Sequence, residues 1–277
     1  MEYFIPGDKF PAVSLTGNYC ALSCEHCMGK YLRGMHHVRN DNDLIKLARL
    51  LEEKGAHGML ISGGCDPSGR VPLSKYRRPL KEIKKSTSLI IAAHPGFISA
   101  IDIQPIVDLI DVLFFDVVGD DRIFREIYHL PFDIGFMEDM IRVVSDSGIR
   151  YISPHITFGL YWGRESGERT ALRMLAGMRF NSLIINAVLS TPGTAFSRIS
   201  LDREGFIDFV VTARRFFRSK RIILGCMRPR DFELEDAVAP YVDGIAMPTL
   251  CVRKKYPGTI RAICCGIPPE IYQNMKN

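Results

Sequence analysis

Eight apolar runs of strand length alternate with segments of helical periodicity along the 277-residue chain, and this alternation leaves few folds open. The runs lie at 10–16, 58–62, 89–94, 112–117, 151–158, 183–189, 221–224 and 242–247. They are nearly continuous in β-branched residues and leucine, as suits parallel strands buried on both faces. Between them, Leu44, Leu47, Ala48 and Leu51 repeat at the i, i+3, i+4, i+7 spacing of one buried helix face. Asn40 or Asp41 can cap that helix and Gly55 can end it. A second helix is expected from Pro72 and a third near Ser99, with Ile103, Ile106, Val107 and Ile110 on one face. Further helices are expected near 121–128, 134–147, 167–177, 202–219 and 231–239. Eight such units predict a closed (β/α)8 barrel of the TIM type, with an open doubly wound sheet as the alternative. No linker or low-complexity stretch interrupts the pattern. The expected organisation is one domain over 1–277, with its core at about 10–250 and a cysteine-containing tail at 251–277.

Composition narrows the class of function. With 36 Lys and Arg against 31 Asp and Glu, the net charge is +5, too weak a surplus to imply nucleic acid. No apolar run approaches the roughly 18 residues of a membrane helix. Met1 to Phe10 carries Glu2 and Asp8 and has no basic start or apolar core, so no secretion signal is read there. A cytoplasmic location is expected, and the eight cysteines are expected to be reduced thiols.

In a barrel of this type, chemistry sits where the strands end. Those positions here are polar or sulfur-rich. Cys20, Cys24 and Cys27 follow the first strand and Gly63-Gly64-Cys65-Asp66 the second. His94 ends the third, Asp116 ends the fourth, and His155 and Thr157 lie in the fifth. Asn186 and Thr191-Pro192-Gly193-Thr194 mark the sixth, and Gly225-Cys226-Met227-Arg228 the seventh. Polar groups after most strands of one rim are hard to explain as core packing.

The spacing C-x3-C-x2-C at Cys20, Cys24 and Cys27 places three thiolates on one short loop, enough to hold three irons of a [4Fe–4S] cluster and leave the fourth open. The same residues leave room for a zinc site with His26 or a distant cysteine as fourth ligand, or for buried thiols. This triad, just after the first strand of a (β/α) barrel, resembles the radical S-adenosylmethionine (SAM) superfamily. His26 occupies the place of the aromatic residue that precedes the third cysteine. Ser62-Gly63-Gly64-Cys65-Asp66 is similar to the Gly-Gly-Glu turn that meets the methionyl amine of SAM, with the acid moved by one position. The resemblance implies a [4Fe–4S] cluster, SAM bound at its open iron, and reductive cleavage to a 5′-deoxyadenosyl radical.

Within the superfamily, the sequence resembles the biotin synthase and lipoyl synthase branch. Ser190-Thr191-Pro192-Gly193-Thr194 is similar to a Pro-Gly-Thr turn near the adenine, and Asp116 and Asp120 are candidates for the ribose hydroxyls. No cysteine lies between Cys65 and Cys226, so the middle-strand ligands of biotin synthases are missing. Ser-Gly-Gly-Cys-Asp at 62–66, Gly69-Arg-Val-Pro-Leu73, and Leu-Gly-Cys-Met-Arg-Pro-Arg at 224–230 resemble one subunit of the two-component lipoyl synthases. That resemblance implies sulfur insertion into a protein-bound octanoyl chain, with Cys65 and Cys226 as catalytic candidates. The alternatives are another biotin synthase-like radical SAM reaction of cofactor biosynthesis, by methyl transfer or rearrangement, and a non-enzymatic metal-binding module. It implies an auxiliary iron–sulfur cluster drawing its ligands from Cys65, Cys226, Cys264 and Cys265. It implies, as partners, a second radical SAM subunit, an octanoylated lipoyl-domain or glycine-cleavage carrier protein, and an electron donor such as ferredoxin. His26, Gly63, Gly64, Asp66, Asp116, His155, Thr157, Asn186, Pro192 and Arg228 are the candidate cofactor-binding residues. For Arg228 and Arg230 the sequence leaves open the SAM carboxylate, an acidic carrier surface, or plain solvation. Cys251 reads as a bystander, His36 and His37 as loop residues, and Trp162 as a lip of the substrate entrance.

Overall fold

The computed structural model describes residues 1–273. The last four residues of the cysteine-containing tail therefore lie outside the described residues. The chain builds one parallel sheet from β1 (Glu2–Phe4), β2 (Ala12–Ser14), β3 (His36–His37), β4 (Gly58–Ser62), β5 (Ile90–Ala93), β6 (Val112–Asp116), β7 (Tyr151–Phe158), β8 (Ser182–Ala187), β9 (Arg221–Leu224), β10 (Gly244–Ala246) and β11 (Thr259–Arg261). Their order across the sheet is β11-β1-β10-β9-β8-β7-β6-β5-β4-β2-β3, eleven strands in all. The eight expected strands are β2 and β4 to β10, each beside its neighbour in the chain.

The closed eight-stranded barrel is corrected. Among the described residues, β2 pairs with β3 and β4, and β10 pairs with β9 and β1, so no ladder joins the two ends. The sheet is open along one side, with β3 and β11 at its edges. The reason is local: β1 occupies the flank of β10 where β2 would have to bind, and β11 then extends from β1.

Helices cover the outer face. They are α1 (Asp41–Glu53), α2 (Arg77–Ser86), α3 (Ala100–Ile103), α4 (Ile134–Asp146), α5 (Glu168–Met174), α6 (Arg203–Phe216), α7 (Phe232–Val238), α8 (Leu250–Lys255) and α9 (Pro269–Tyr272). Asn40 caps α1 by accepting the Asp43 N–H at 3.0 Å, and Asp133 caps α4 from the Phe136 N–H at 2.9 Å. The apolar stripe read for α1 is buried at Leu44, Ala48 and Leu51. The expected helix at 121–128 is a single π turn at Ile123–Ile127.

The inner face of the sheet is filled by the chain's own C-terminal segment. Ile263, Cys265, Ile267 and Tyr272 pack there with Phe4, Ile90, Val112, Phe114, Ile184 and Ile223. Ser153 Oγ donates to the Gly266 carbonyl at 2.8 Å, and Gly266 is close against the Phe114 ring, where an added Cβ would lie 2.5 Å from a ring carbon. Only glycine lets the plug approach this wall. Its position leaves the strand C-terminal ends open to a cavity of about 420 Å³.

Candidate active site at the strand ends

The loop after β2 carries the three cysteines and is zipped to the turn after β4. Gly64 N–H donates to Thr16 Oγ1 at 2.7 Å, and Thr16 Oγ1 donates to the Tyr19 carbonyl at 2.8 Å. Ala21 N–H donates to the Cys65 carbonyl at 2.8 Å, and Cys65 N–H approaches Cys20 Sγ at 3.4 Å. A Cβ on Gly64 would fall 1.9 Å from the Tyr19 oxygen and 2.7 Å from Cys20 Cα. Gly64 is thus required by the contact between turn and loop. Gly64→Ala must push the loop away. We expect it to cost about 1–3 kcal/mol of stability through overpacking, measured by thermal unfolding.

Cys24, His26 and Cys27 bring one donor atom each to within 4.8 Å of one another. Cys27 and Met28 N–H groups both donate to the Cys24 carbonyl, at 3.0 and 2.9 Å, so the loop turns tightly around that thiol. The Cys27 thiol is drawn down to about 4 by the hydrogen bond from Cys24, against its burial and with help from His26. Cys20 is drawn down to about 6 by the thiol of Cys65, again against burial. The proton is held by the partner in each case, so burial and a neighbouring thiolate push Cys24 and Cys65 up. Each lowered thiol thus has a raised partner beside it, and a bound metal would displace the remaining protons. Cys20 lines the same cavity, so three thiols of one loop face one space, a donor set suited to a cluster ligated by cysteine.

His26 sits among rings, with Tyr128, Tyr31 and Phe196 centroids at 5.6, 6.2 and 6.3 Å. Its Nδ1 is buried without a hydrogen-bond partner. Tyr31 Oη lies 2.9 Å from Thr191 Oγ1, and Lys30 Nζ donates to the Pro192 carbonyl, so the Pro-Gly turn closes over the cysteine loop. Tyr31, Lys30 and Tyr128 belong to no motif that the sequence displays, and only contacts between distant parts of the chain reveal them. Trp162 is 40% exposed and stacks on Phe196 at 5.0 Å, on the outer side of that ring cluster.

The cavity joins the three cysteines to Gly63, Gly64, Cys65, His94, Asp116, His155, Thr157, Asn186, Cys226, Cys264 and Cys265, so most of the sequence candidates share one space. Its wall is largely apolar, from residues such as Leu22, Leu60, Val71, Phe97 and Leu160. At its floor His94 Nε2 faces Asp116 Oδ2 at 3.5 Å. Burial works against both charges, but each offsets it for the other: His94 is raised and Asp116 lowered. His155, 5.5 Å from His94 between ring centroids, is driven down to about 3, first by burial and then by His94. It stays a neutral imidazole with Nδ1 unpartnered. Asn186 Oδ1 accepts the Met227 N–H at 3.3 Å, tying β8 to the turn that carries Cys226.

Four candidates stand elsewhere. Arg228 is corrected: it is 1% exposed, paired with Glu235, and donates to the Gly225 and Ala246 carbonyls, so it is not free to meet a SAM carboxylate or a carrier surface. Asp66 is corrected for a similar reason. Its carboxylate accepts Ser68 N–H at 2.9 Å, Ser68 Oγ at 2.7 Å and Arg70 N–H at 3.1 Å, and it faces a separate groove. Asp120 is bound by the Arg122 guanidinium, at 2.6 Å for the nearest pair. Pro192 is exposed and serves through its carbonyl. Arg230 donates to the Met247 and Cys226 carbonyls at 2.8 and 3.1 Å. His36 and His37 form the edge strand β3, and Cys251 is exposed on α8.

No protein-family model matches the chain, and no curated protein matches it. Solved structures do match its fold. HydG, a maturase of the [FeFe]-hydrogenase, aligns with a TM-score of 0.64 at 13% identity over 89% of this chain and 56% of that one. Methylornithine synthase (PylB) aligns with a TM-score of 0.61 at 13% identity, over 87% and 72%. SuiB of Streptococcus suis, solved with S-adenosylmethionine bound, aligns with a TM-score of 0.59 at 12% identity, over 91% and 58%. The chain thus spans 56% of the length of HydG and 58% of that of SuiB. At these identities the likeness is one of fold, and the fold it shows is that of HydG, PylB and SAM-bound SuiB.

Proposed function

We propose that this chain is a radical SAM enzyme, and that it inserts sulfur into a protein-bound octanoyl chain as one component of a two-subunit lipoyl synthase. The observation that carries the radical SAM reading is the three-cysteine loop locked on Gly63–Gly64 at the strand ends of a fold shared with a SAM-bound protein. Cys20, Cys24 and Cys27 would hold a [4Fe–4S] cluster, which supplies the electron for reductive cleavage of SAM when both are bound. The chain's own work is to orient and to keep water out. The Gly-Gly turn offers backbone beside the loop, the rings around His26 wall one side, and the apolar cavity shelters reactive carbon centres.

The sulfur-insertion reading is supported by Cys226, Cys264 and Cys265 lining that cavity beside a wall suited to an alkyl chain. In this reading an auxiliary cluster donates sulfur. A second radical SAM subunit, an octanoylated carrier protein and a ferredoxin-like electron donor are its partners. A zinc reading draws on the Cys24, His26 and Cys27 donor set. Anaerobic incubation of the reconstituted chain with SAM, reductant, candidate partner and an octanoyl-lysine peptide tests these alternatives by mass spectrometry. Gain of one or two sulfurs is expected. A mass change without sulfur would overturn sulfur insertion, and zinc with intact SAM would overturn the radical reading.

A further inference from the structure

We infer that the open side of the sheet is the docking face for an acidic carrier protein. This rests on the carrier reading above and names the surface which that reading lacked. The chain holds 31 Asp and Glu, yet none falls at 26–40 or at 244–269. The first stretch carries Lys30, Arg33 and Arg39, and the second carries Arg253, Lys254, Lys255 and Arg261. The topology sends each to an edge of the sheet. Residues 26–40 run through β3, and residues 244–269 run through β10, α8 and β11. Two acid-free stretches, far apart in sequence, thus border the one side that no ladder closes.

Most of these cations have no counter-charge. Lys255 pairs with Asp236 and Arg261 with Glu2, while Lys30 reaches the Pro192 carbonyl. The side chains of Arg33, Arg39, Arg253 and Lys254 meet no acid among the described residues. Apolar surface accompanies them. Met28 and Tyr31 are exposed at the β3 edge. At the other edge Leu250 is 69% and Ile260 45% exposed, and with Tyr3, Arg253 and Lys254 they line a groove of about 310 Å³. Exposed apolar side chains beside uncompensated cations mark a protein-binding surface, and complementarity requires its partner to supply the acids. The face also leads inward. Tyr31, Leu32 and Met35 line the cavity from the β3 end, and Cys264 and Cys265 line it from the chain after β11. A domain seated across the opening can pass an acyl-lysine arm between the two edges to the strand ends.

The test titrates an octanoylated lipoyl-domain protein of net negative charge into the full reconstituted chain by calorimetry. Binding is expected, weakening at least fivefold between about 50 and 300 mM salt. Arg33→Glu with Arg39→Glu, and Arg253→Glu with Lys254→Glu, should each weaken it, and all four together at least about tenfold. Four reversals on and beside the outer helices, Lys46→Glu, Lys81→Glu, Lys85→Glu and Arg218→Glu, should change it less than about threefold. Circular dichroism confirms folding of each variant. Equal losses in the two sets would reduce the effect to net charge and overturn the docking face. So would absence of binding, a salt-insensitive affinity, a loss confined to one edge pair, or tighter binding of a DNA oligonucleotide than of the carrier. Failure of the sulfur-insertion reading is separately visible. The unacylated domain should bind with the same sensitivity to the four substitutions, whatever mass spectrometry shows of sulfur gain.

Discussion

On the proposed radical SAM reading, Cys27→Ala is expected to reduce SAM cleavage to background and to remove about four irons per chain in anaerobically reconstituted protein. The expectation follows from the loop geometry. Cys24 and Cys27 lie against each other around one tight turn, and Cys20 lines the same cavity from the start of the loop. Removing one thiolate leaves an iron without a protein ligand on a loop that has no slack, since Gly64 and Thr16 fix its first half and the Glu25 N–H bonds the Ile127 carbonyl at 3.0 Å. Cys65 lies beside Cys20, its N–H 3.4 Å from Cys20 Sγ, so Cys27→Ala with Cys65→Ala tests whether it substitutes. Cys251→Ala serves as the control: it is exposed on α8, and its loss should change neither iron nor cleavage. Retained cleavage in Cys27→Ala would remove the basis for the radical assignment.

Glu235→Ala should destabilise the fold by about 3–5 kcal/mol, more than Gly64→Ala or either cysteine change. Arg228 and Glu235 have fully buried side chains, and Glu235 Oε2 also accepts the Thr249 N–H at 2.8 Å and Thr249 Oγ1 at 2.7 Å. Truncation leaves a guanidinium in the core without a counter-charge and opens the cap of α8. At about 2–4 °C per kcal/mol for a chain of this size, the melting temperature should fall on the order of 10 °C. A change of less than about 3 °C by calorimetry would mean that the pair is not buried as described. Because Arg228 also holds the carbonyl of Gly225, the turn bearing Cys226 should loosen along with the stability.

How far the fold can be read from the residues depends on which elements carry their own pattern. Strands at 58–62, 151–158 and 221–224 fall where the apolar runs lie, because each is buried on both faces and its composition says so. Three strands leave no such mark. Glu2–Phe4 is short and acidic at its start, His36–His37 is exposed, and Thr259–Arg261 is an edge, so their pairing is a tertiary fact. Without them, an open sheet reads as a closed barrel. The alternation of Ile263, Cys265 and Ile267 is the available signal for an inward-facing plug.

The candidate site divides in the same way. Chain-local features, such as the cysteine spacing and the Gly-Gly turn, place the loop correctly beside its supporting turn. Charged residues are the weak point. Arg228, Asp66 and Asp120 each sit near a strand end, but each has a partner close in the chain that uses its charge. Proximity to the rim says where they are, and only the packing says what they hold.

Radical SAM chemistry in this chain is tested most directly by the formation of 5′-deoxyadenosine and methionine from SAM. The iron-loaded wild-type protein is followed anaerobically, with and without a strong reductant. Both products are expected in equal amounts, only with reductant and only with iron bound. Iron-loaded protein that leaves SAM intact under reduction would contradict the assignment.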